Sequence, residues 1–378
     1  MIFSLIKSTN QAAPSQFLHK YRDITLPPSE DITPNIKSLT SAHHALGEIK
    51  GRITRDVINP SLIIAPLLTK EAVASSKIEK IEGTQTTVEE VLKYEAKEPK
   101  KEDSDIREVI NYRKAIQESM EFLSEKPLGE HLIRNLHATL MASVRGKEKD
   151  PGNFRRIAVH LGPPNSTAEE AEYVPPKPDD ITGLMKNWVE FVHDEAMDPL
   201  VQAGIAHYQF EAIHPFMDGN GRIGRLLIPI LLYSKDLIPY PYLYISDFFE
   251  QNRKHYYEAL RGVDRDRDWD AWISFFLYGI KETSKQMQDK VVKMYQLYGR
   301  LNEELVDLNS QYSQLLLDLL FEKPIISSKE ILRQLDQPSR QTIYNLVEKF
   351  ETEEIIYEIT GNKRNKVYAF STLLEIIK

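Results

Sequence analysis

Cysteine is absent from the 378-residue chain, and that alone excludes disulfides, thiolate zinc sites and a cysteine nucleophile. No apolar run reaches the roughly 18 residues that a bilayer span needs. The opening MIFSLI is too short for the apolar region of a signal peptide. Internal repeats and low-complexity tracts are missing as well. Charge of either sign is barely in excess: 48 Lys+Arg against 56 Asp+Glu give a net charge of −8. That balance argues against a wholesale grip on nucleic acid or anionic membrane, while leaving room for a local basic patch. What is present is ordinary globular material, 41% hydrophobic and 28% charged, which excludes a mainly disordered chain. At about 150 residues per domain the length predicts two to three domains. A soluble, cytoplasmic protein with no membrane association is the expectation.

Helical spacing dominates. The segments Ile106–Leu123, Leu132–Val144, Leu184–His193 and Leu200–Ile213 repeat apolar residues every three or four positions. Two hairpins are predicted. One joins Arg155–His160 to Glu172–Val174, and the other joins Ile355–Ile359 to Lys366–Phe370 through TGNKRN. Glu95–Asp105 is charged and aperiodic and reads as a linker. These cues divide the chain into an N-terminal helical region (1–95), a central domain (96–290), a connecting helix (291–312) and a C-terminal unit (313–378). The order in that last unit, helix, turn, helix, turn, helix, hairpin, is the pattern of a winged helix-turn-helix. The fold class is mostly α.

The chemistry concentrates in Val201–Leu232. Its first half predicts a helix that ends at Ile213, because His214 precedes Pro215 and a residue before proline is pushed out of the right-handed helical region. A buried helix is expected from about Arg222. Between them Asp218, Gly219, Asn220 and Gly221 form a glycine-rich turn at a helix N-terminus, where successive N–H groups and the helix dipole make an anion nest. Arg222 and Arg225 project from neighbouring positions at the same helix start. A phosphate-binding corner follows, with His214 at its mouth and Asp218 able to hold a divalent cation.

Other readings of these residues do less well. Gly219, Gly221 and Gly224 match G-x-G-x-x-G, but no hydrophobic strand precedes them. A calcium loop fails because Ile223 and Pro229 stand where Gly and Glu are needed. His207, Glu211 and His214 share a helical face as a conceivable zinc set, but His214 stands at the helix break. A plain structural turn leaves the clustering of His, Asp, Asn and two Arg unexplained.

This segment resembles the Fic family signature H-x-F-x-D/E-G-N-G-R-x-x-R at every fixed position: His214, Phe216, Asp218, Gly219, Asn220, Gly221, Arg222 and Arg225. DPGNFRR (Asp150–Arg156), YVPPKP (Tyr173–Pro178), Asp247–Leu260 and Trp269–Leu277 are similar to further stretches of that family. The resemblance implies a helical bundle with a hairpin flap and a transfer of AMP from ATP to a Ser, Thr or Tyr hydroxyl on a protein. It makes His214 the general base and Asp218 the ligand of Mg²⁺. Gly219, Asn220, Gly221 and Gly224 then cradle phosphates, Arg222 and Arg225 grip the outer phosphates, and Asn252 contacts the nucleoside. The hairpin around 155–174 either registers the target by β-augmentation or is a simple surface hairpin. Another donor, or removal of AMP, stays open.

Family members of this build carry an inhibitory helix, S/T-x-x-x-E-G/N, whose glutamate pairs with the second arginine. Near 71–92 the chain reads ASSKIEKIEGTQTT from Ala74 to Thr87. Ser75 and Glu79 fit, with Lys80 in place of Gly or Asn. Glu82 and Gly83 supply the alternate register, with Ile78 at the hydroxyl position. An exposed Lys/Glu helix face is the plain reading. For the C-terminal unit, Ser327–Leu335 and Ser339–Phe350 are the two helices, and Lys363, Arg364 and Lys366 tip the wing. Residues 311–378 hold nine Lys+Arg and ten Asp+Glu, so homodimerisation or another protein contact competes with DNA binding, and a nucleotide-sensing DNA-binding regulator is the rival to the enzyme.

Overall fold

The computed structural model describes residues 4–9, 25–29, 31–55, 59–79, 86–97, 103–142, 147–162, 167, 170–306, 312–335 and 339–378. A first strand, β1 (Ser4–Thr9), is followed by the helices α1 (Ile36–Arg55), α2 (Pro60–Glu79), α3 (Val88–Lys97), α4 (Ser104–Glu125) and α5 (Glu130–Leu140). Strand β2 (Ala158–Gly162) leads to α6 (Ile181–His193), α7 (Pro199–Ile213) and α8 (Asn220–Ser234). Next come α9 (Ser246–Gln251), α10 (Arg253–Asp266) and the long α11 (Trp269–Val306). The C-terminal unit runs α12 (Ser313–Glu322), β3 (Ile325–Ser327), α13 (Ser328–Gln334), α14 (Arg340–Thr352), β4 (Tyr357–Glu358), β5 (Val367–Ala369) and α15 (Ser371–Ile377). The fold is mostly helical, as expected, and no helix among the described residues is long and apolar enough to cross a membrane.

α7 lies at the centre. Asp198 caps it by accepting from the N–H groups of Leu200 and Val201, and Pro199 opens it at a position where a missing N–H costs nothing. Its sides are apolar all round, so it is buried on every face, with α6, α8 and α11 packed against it. Trp188 and Trp272, both fully buried, donate their indole N–H groups to Ala206 and Gly204 carbonyls at 2.8 and 2.9 Å. α2 is likewise buried along most of its length, against α4, α9 and α12.

Several boundaries differ from the sequence reading. The stretch near 71–92 is not one helix: α2 stops at Glu79 and α3 starts at Val88, with Thr87 and Glu90 making a reciprocal capping pair. Glu82 lies outside the described residues. The connecting helix expected at 291–312 is no separate element, because α11 runs unbroken from Trp269 to Val306. In the flap, β2 meets the 172–174 side at an isolated bridge, with Leu161 bonded to the backbone of Glu172 and Tyr173, and its ladder partner is β1, antiparallel with Ser4 opposite Gly162. The second hairpin forms as β4–β5, with the unforeseen β3 completing a sheet of order β3-β5-β4.

Candidate functional site

α7 ends where the chain before Pro215 must leave the helix. His214 takes a left-handed conformation, φ 50° and ψ 59°, which swings its side chain off the α7 surface. The turn that follows is held by Asn220, whose side-chain oxygen accepts from Phe216 N–H at 2.8 Å while its NH₂ donates to Phe216 O at 2.9 Å. The amide expected on phosphate thus closes the turn instead. Gly219, at φ 76°, begins α8 in a conformation that disfavours a side chain. At Gly221 a Cβ would lie 2.6 Å from Glu79 Oε1, so only glycine lets the carboxylate, or any other anion, approach the backbone there.

Two buried side chains clamp this turn from outside, and both act through the 150–156 segment. Arg155, 2% exposed, donates Nε to His214 O at 2.8 Å and Nη2 to Pro176 O at 2.7 Å, while its own N–H bonds Pro215 O. It therefore locks the catalytic-side corner to the base of the flap. His137 accepts from Gly152 N–H at Nδ1 and donates from Nε2 to Asp218 O, which fixes its tautomer, and its ring stacks on Phe216 at 3.8 Å. Burial holds its pKa down at about 4, so it stays neutral.

A cavity of about 320 Å³ opens above the turn. Its lining brings together Gly219, Asn220, Gly221, Arg225 and Glu79 with His214 and Asp218, and adds apolar surface from Leu161, Ala212 and Leu260, the rings of Tyr256 and Tyr257 beside Arg225, and Glu172 and Tyr173 of the flap. Both ring nitrogens of His214 are buried and make no hydrogen bond of good geometry among the described residues; burial, with Arg155 nearby, lowers its pKa to about 3, against a smaller opposing pull from the Glu211 backbone and from Glu79. The result is a neutral imidazole with unbonded nitrogens beside a glycine-rich turn.

That turn already holds an anion. Arg225 is 1% exposed and donates Nε to Ser75 Oγ at 3.0 Å and Nη2 both to Ser75 O and, at 2.8 Å, to Glu79 Oε1. Arg222 lies within 3.3 Å of Glu79, 3.1 Å of Glu108 and 3.4 Å of Asp218. Burial alone would raise the Glu79 pKa, but the two guanidinium groups outweigh it and hold the carboxylate ionised below its usual range. Burial opposes the charge on Arg225 in the same way, and Glu79 restores it. Ser75 and Glu79 sit one turn apart at the end of α2, so one helix end supplies both groups.

Of the residues singled out from sequence, His214, Asp218, Gly219, Asn220, Gly221, Arg225 and Glu79 line the cavity together, with Ser75 directly behind Arg225. Arg222 is buried between Glu79, Glu108 and Asp218, Gly224 presents its carbonyl to His207 Nδ1, and Asn252 donates its amide to Phe248 O, and these three do not line it. His207 also bonds Tyr256 OH through Nε2, leaving neither ring nitrogen open toward a metal. Sequence reasoning missed Glu108 and Glu71, and met Glu211 only as part of a conceivable zinc set. Glu211 lines the cavity, and burial raises its pKa to about 7. Glu71, also pushed up to about 7 by burial, accepts from Ser246 N–H at 3.0 Å, from the Ser246 hydroxyl and from Tyr112 OH, anchoring α2 two turns before Glu79. The signal available for Glu71 was a lone acid inside the long apolar pattern of α2.

Comparison with known proteins places this geometry. The Fic/DOC family N-terminal model matches residues 36–121 and the Fic/DOC family model residues 127–232, together more than half of the chain. A Drosophila persimilis protein adenylyltransferase Fic is 36% identical over 190 residues, which is 48% of this chain and 34% of that protein. The Drosophila ananassae protein of the same name is 36% identical over 132 residues, 34% of this chain and 23% of its own. The chain thus spans about a quarter to a third of the length of such curated relatives. Among solved structures, a Fic family protein from Desulfovibrio desulfuricans G20 is similar over 91% of this chain and 98% of its own, with 21% identity and a TM-score of 0.53. Fic-1 from C. elegans is similar over 68% of this chain and 73% of its own, with 18% identity and the same TM-score of 0.53. At those identities the structural likeness speaks to the fold alone.

Proposed function

Because the chain belongs to the Fic/DOC family, we propose that it transfers AMP from ATP to a hydroxyl side chain of a protein, and that Glu79 restrains the reaction. One observation carries the proposal: a neutral imidazole, His214, shares a cavity with a glycine-rich helix start and Arg225. The curated relatives named protein adenylyltransferase support the same reading.

In this reading the apolar part of the lining receives the nucleoside, and the N–H groups of the Gly219–Gly221 turn receive the phosphates. His214 takes the proton of the target hydroxyl, whose oxygen bonds to the α-phosphorus as the bond to the leaving pyrophosphate breaks. Arg155 keeps His214 aimed at that point. Asp218 would hold Mg²⁺: a single carboxylate with 34% of its side chain exposed suits a cation ligated mainly by phosphate and water. When bound, that ion neutralises phosphate charge. The outer edge of β2 is paired with β1, so a target segment that docks by β-augmentation would take the place of β1.

Glu79 occupies the guanidinium fork that an outer phosphate would use. ATP must therefore displace a charge-assisted hydrogen bond, an interaction worth about 1.5–3 kcal/mol. The test is transfer of label from ATP marked at the α-phosphorus, with Mg²⁺, by wild type, Glu79→Gly and Glu79→Gly/His214→Ala. Glu79→Gly is expected to raise labelling roughly tenfold or more, and the added His214→Ala to reduce it by about 10²–10⁴. No gain from Glu79→Gly refutes the brake. Label from the γ-phosphorus instead refutes adenylyl transfer.

A further inference from the structure

The C-terminal unit carries a cationic surface, separate from the cavity above. α14 buries Ile343, Leu346, Val347 and Phe350 and leaves Arg340, Gln341, Tyr344 and Asn345 exposed. Its first turn is closed by Ser339, which accepts from Thr342 N–H. Beside it the β4–β5 loop turns at Gly361, φ 67° with open space around it, and exposes Lys363 and Arg364.

Charge is segregated here in a way the composition hides. Residues 311–378 hold nine Lys+Arg and ten Asp+Glu. Six of those nine cations, Lys329, Arg333, Arg340, Lys363, Arg364 and Lys366, line the single groove between α13, α14 and the loop, with only Glu348 and Glu351 among the acids. Both of those acids belong to the second half of α14, so the positive end of the helix dipole and the cations coincide at its start. Arg340, Lys363 and Arg364 make no ion pair with a described residue, whereas Arg333 is paired with Glu330.

We propose that this groove binds duplex DNA, with the start of α14 in the major groove and the Lys363–Arg364 loop on the phosphate backbone. The exposed helix positions carry the side chains that read base edges there, Arg for guanine and Asn or Gln for adenine. The loop cations have the geometry of backbone contacts that position the helix. A protein-docking surface is depleted of charge at its centre, and this one is built of charge around a single half-exposed tyrosine, Tyr344 at 49%. The acidic balance of the whole chain sets the strength: local cations act against a net charge of −8, so binding is modest and strongly salt-dependent.

The test uses the full chain and a fluorescent duplex of about 30 base pairs of arbitrary sequence, followed by anisotropy. Contact with about four phosphates predicts a log–log salt slope near −4 and roughly a hundredfold loss of affinity between about 50 and 200 mM salt. Lys363→Glu/Arg364→Glu is expected to weaken binding by about tenfold or more and to flatten the slope by about 2. Lys186→Glu/Lys254→Glu makes the same charge change at exposed helix positions elsewhere and is expected to leave binding unchanged. Absence of binding at the lowest salt overturns the proposal, and so does an equal loss in both variants. A groove variant that dissociates a self-associated chain in sedimentation, with DNA unbound in all forms, also overturns it and makes the surface a protein contact. None of these outcomes depends on the enzymatic reading.

Discussion

Helices α8 and α14 both carry arginine in their opening turns, and they use that charge in opposite ways. At α8, Arg222 and Arg225 are 5% and 1% exposed, and each lies against Glu79. At α14, Arg340 is exposed and faces solvent. A buried guanidinium is tolerated only with a carboxylate partner, because desolvation without one costs several kcal/mol. The helix that buries its cations must therefore import an acid, and here the acid comes from α2, 146 residues away. On the proposed reading, an anion entering at α8 competes with an internal carboxylate, whereas at α14 the competitor is dissolved salt.

Three perturbations break or sharpen this contrast. The largest effect is expected for Glu79→Gln, which removes the charge and leaves two buried guanidinium groups short of a partner. The free protein should lose about 3 kcal/mol of stability, and saturating ATP with Mg²⁺ should recover much of it by binding the folded state. Urea denaturation with and without nucleotide checks both, and an unchanged midpoint would mean that the ion pair is ornamental.

A smaller effect concerns the anchor of α2. Glu71 has a folded-state pKa of about 7 against an ordinary 4.5. Its protonated form is therefore favoured by folding: its contribution is complete below pH 4.5 and is lost as the pH rises to about 7. Wild type should lose stability relative to Glu71→Gln across that window, by at most about 1.4 kcal/mol per pH unit. Denaturation at pH 5 and pH 7.5 measures the difference, and a constant gap would contradict the buried, protonated carboxyl. The smallest effect is expected at α14, where Arg340→Glu should change stability by less than about 0.5 kcal/mol, since nothing in the fold leans on it.

Much of the site could be read from sequence because its pieces are local. The α7 end at Ile213 follows from the His214–Pro215 bond, and the α8 start from the glycines. The clustering of His214, Asp218, Gly219, Gly221 and Arg225 is set by one stretch of chain. What escaped depends on distant pairing. Glu108 and Glu71 look like solvated helix charges until Arg222 and Ser246 arrive from far along the chain. Arg155 was visible as part of DPGNFRR, but its work on the His214, Ile213 and Pro176 carbonyls follows from three-dimensional proximity. The pairing of β2 with β1 escaped for the same reason, although the expected contact with 172–174 is present at Leu161: alternation marks a strand, but not which segment covers its other edge. Strand β3 is three residues long, too short for any periodic signal. Asn252 fails differently, since its amide caps the carbonyl of Phe248 four residues back instead of facing the cavity.

The central claim is that Glu79 stands in the seat of an outer phosphate and leaves the rest of the nucleotide site intact. Calorimetric titration of ATP and of AMP, each with Mg²⁺, into wild type and Glu79→Gly tests it most directly. A gain of roughly tenfold or more in ATP affinity, with AMP affinity unchanged, is the predicted result, because only the triphosphate reaches Arg225. Equal gains for both nucleotides, or no gain for ATP, would contradict it.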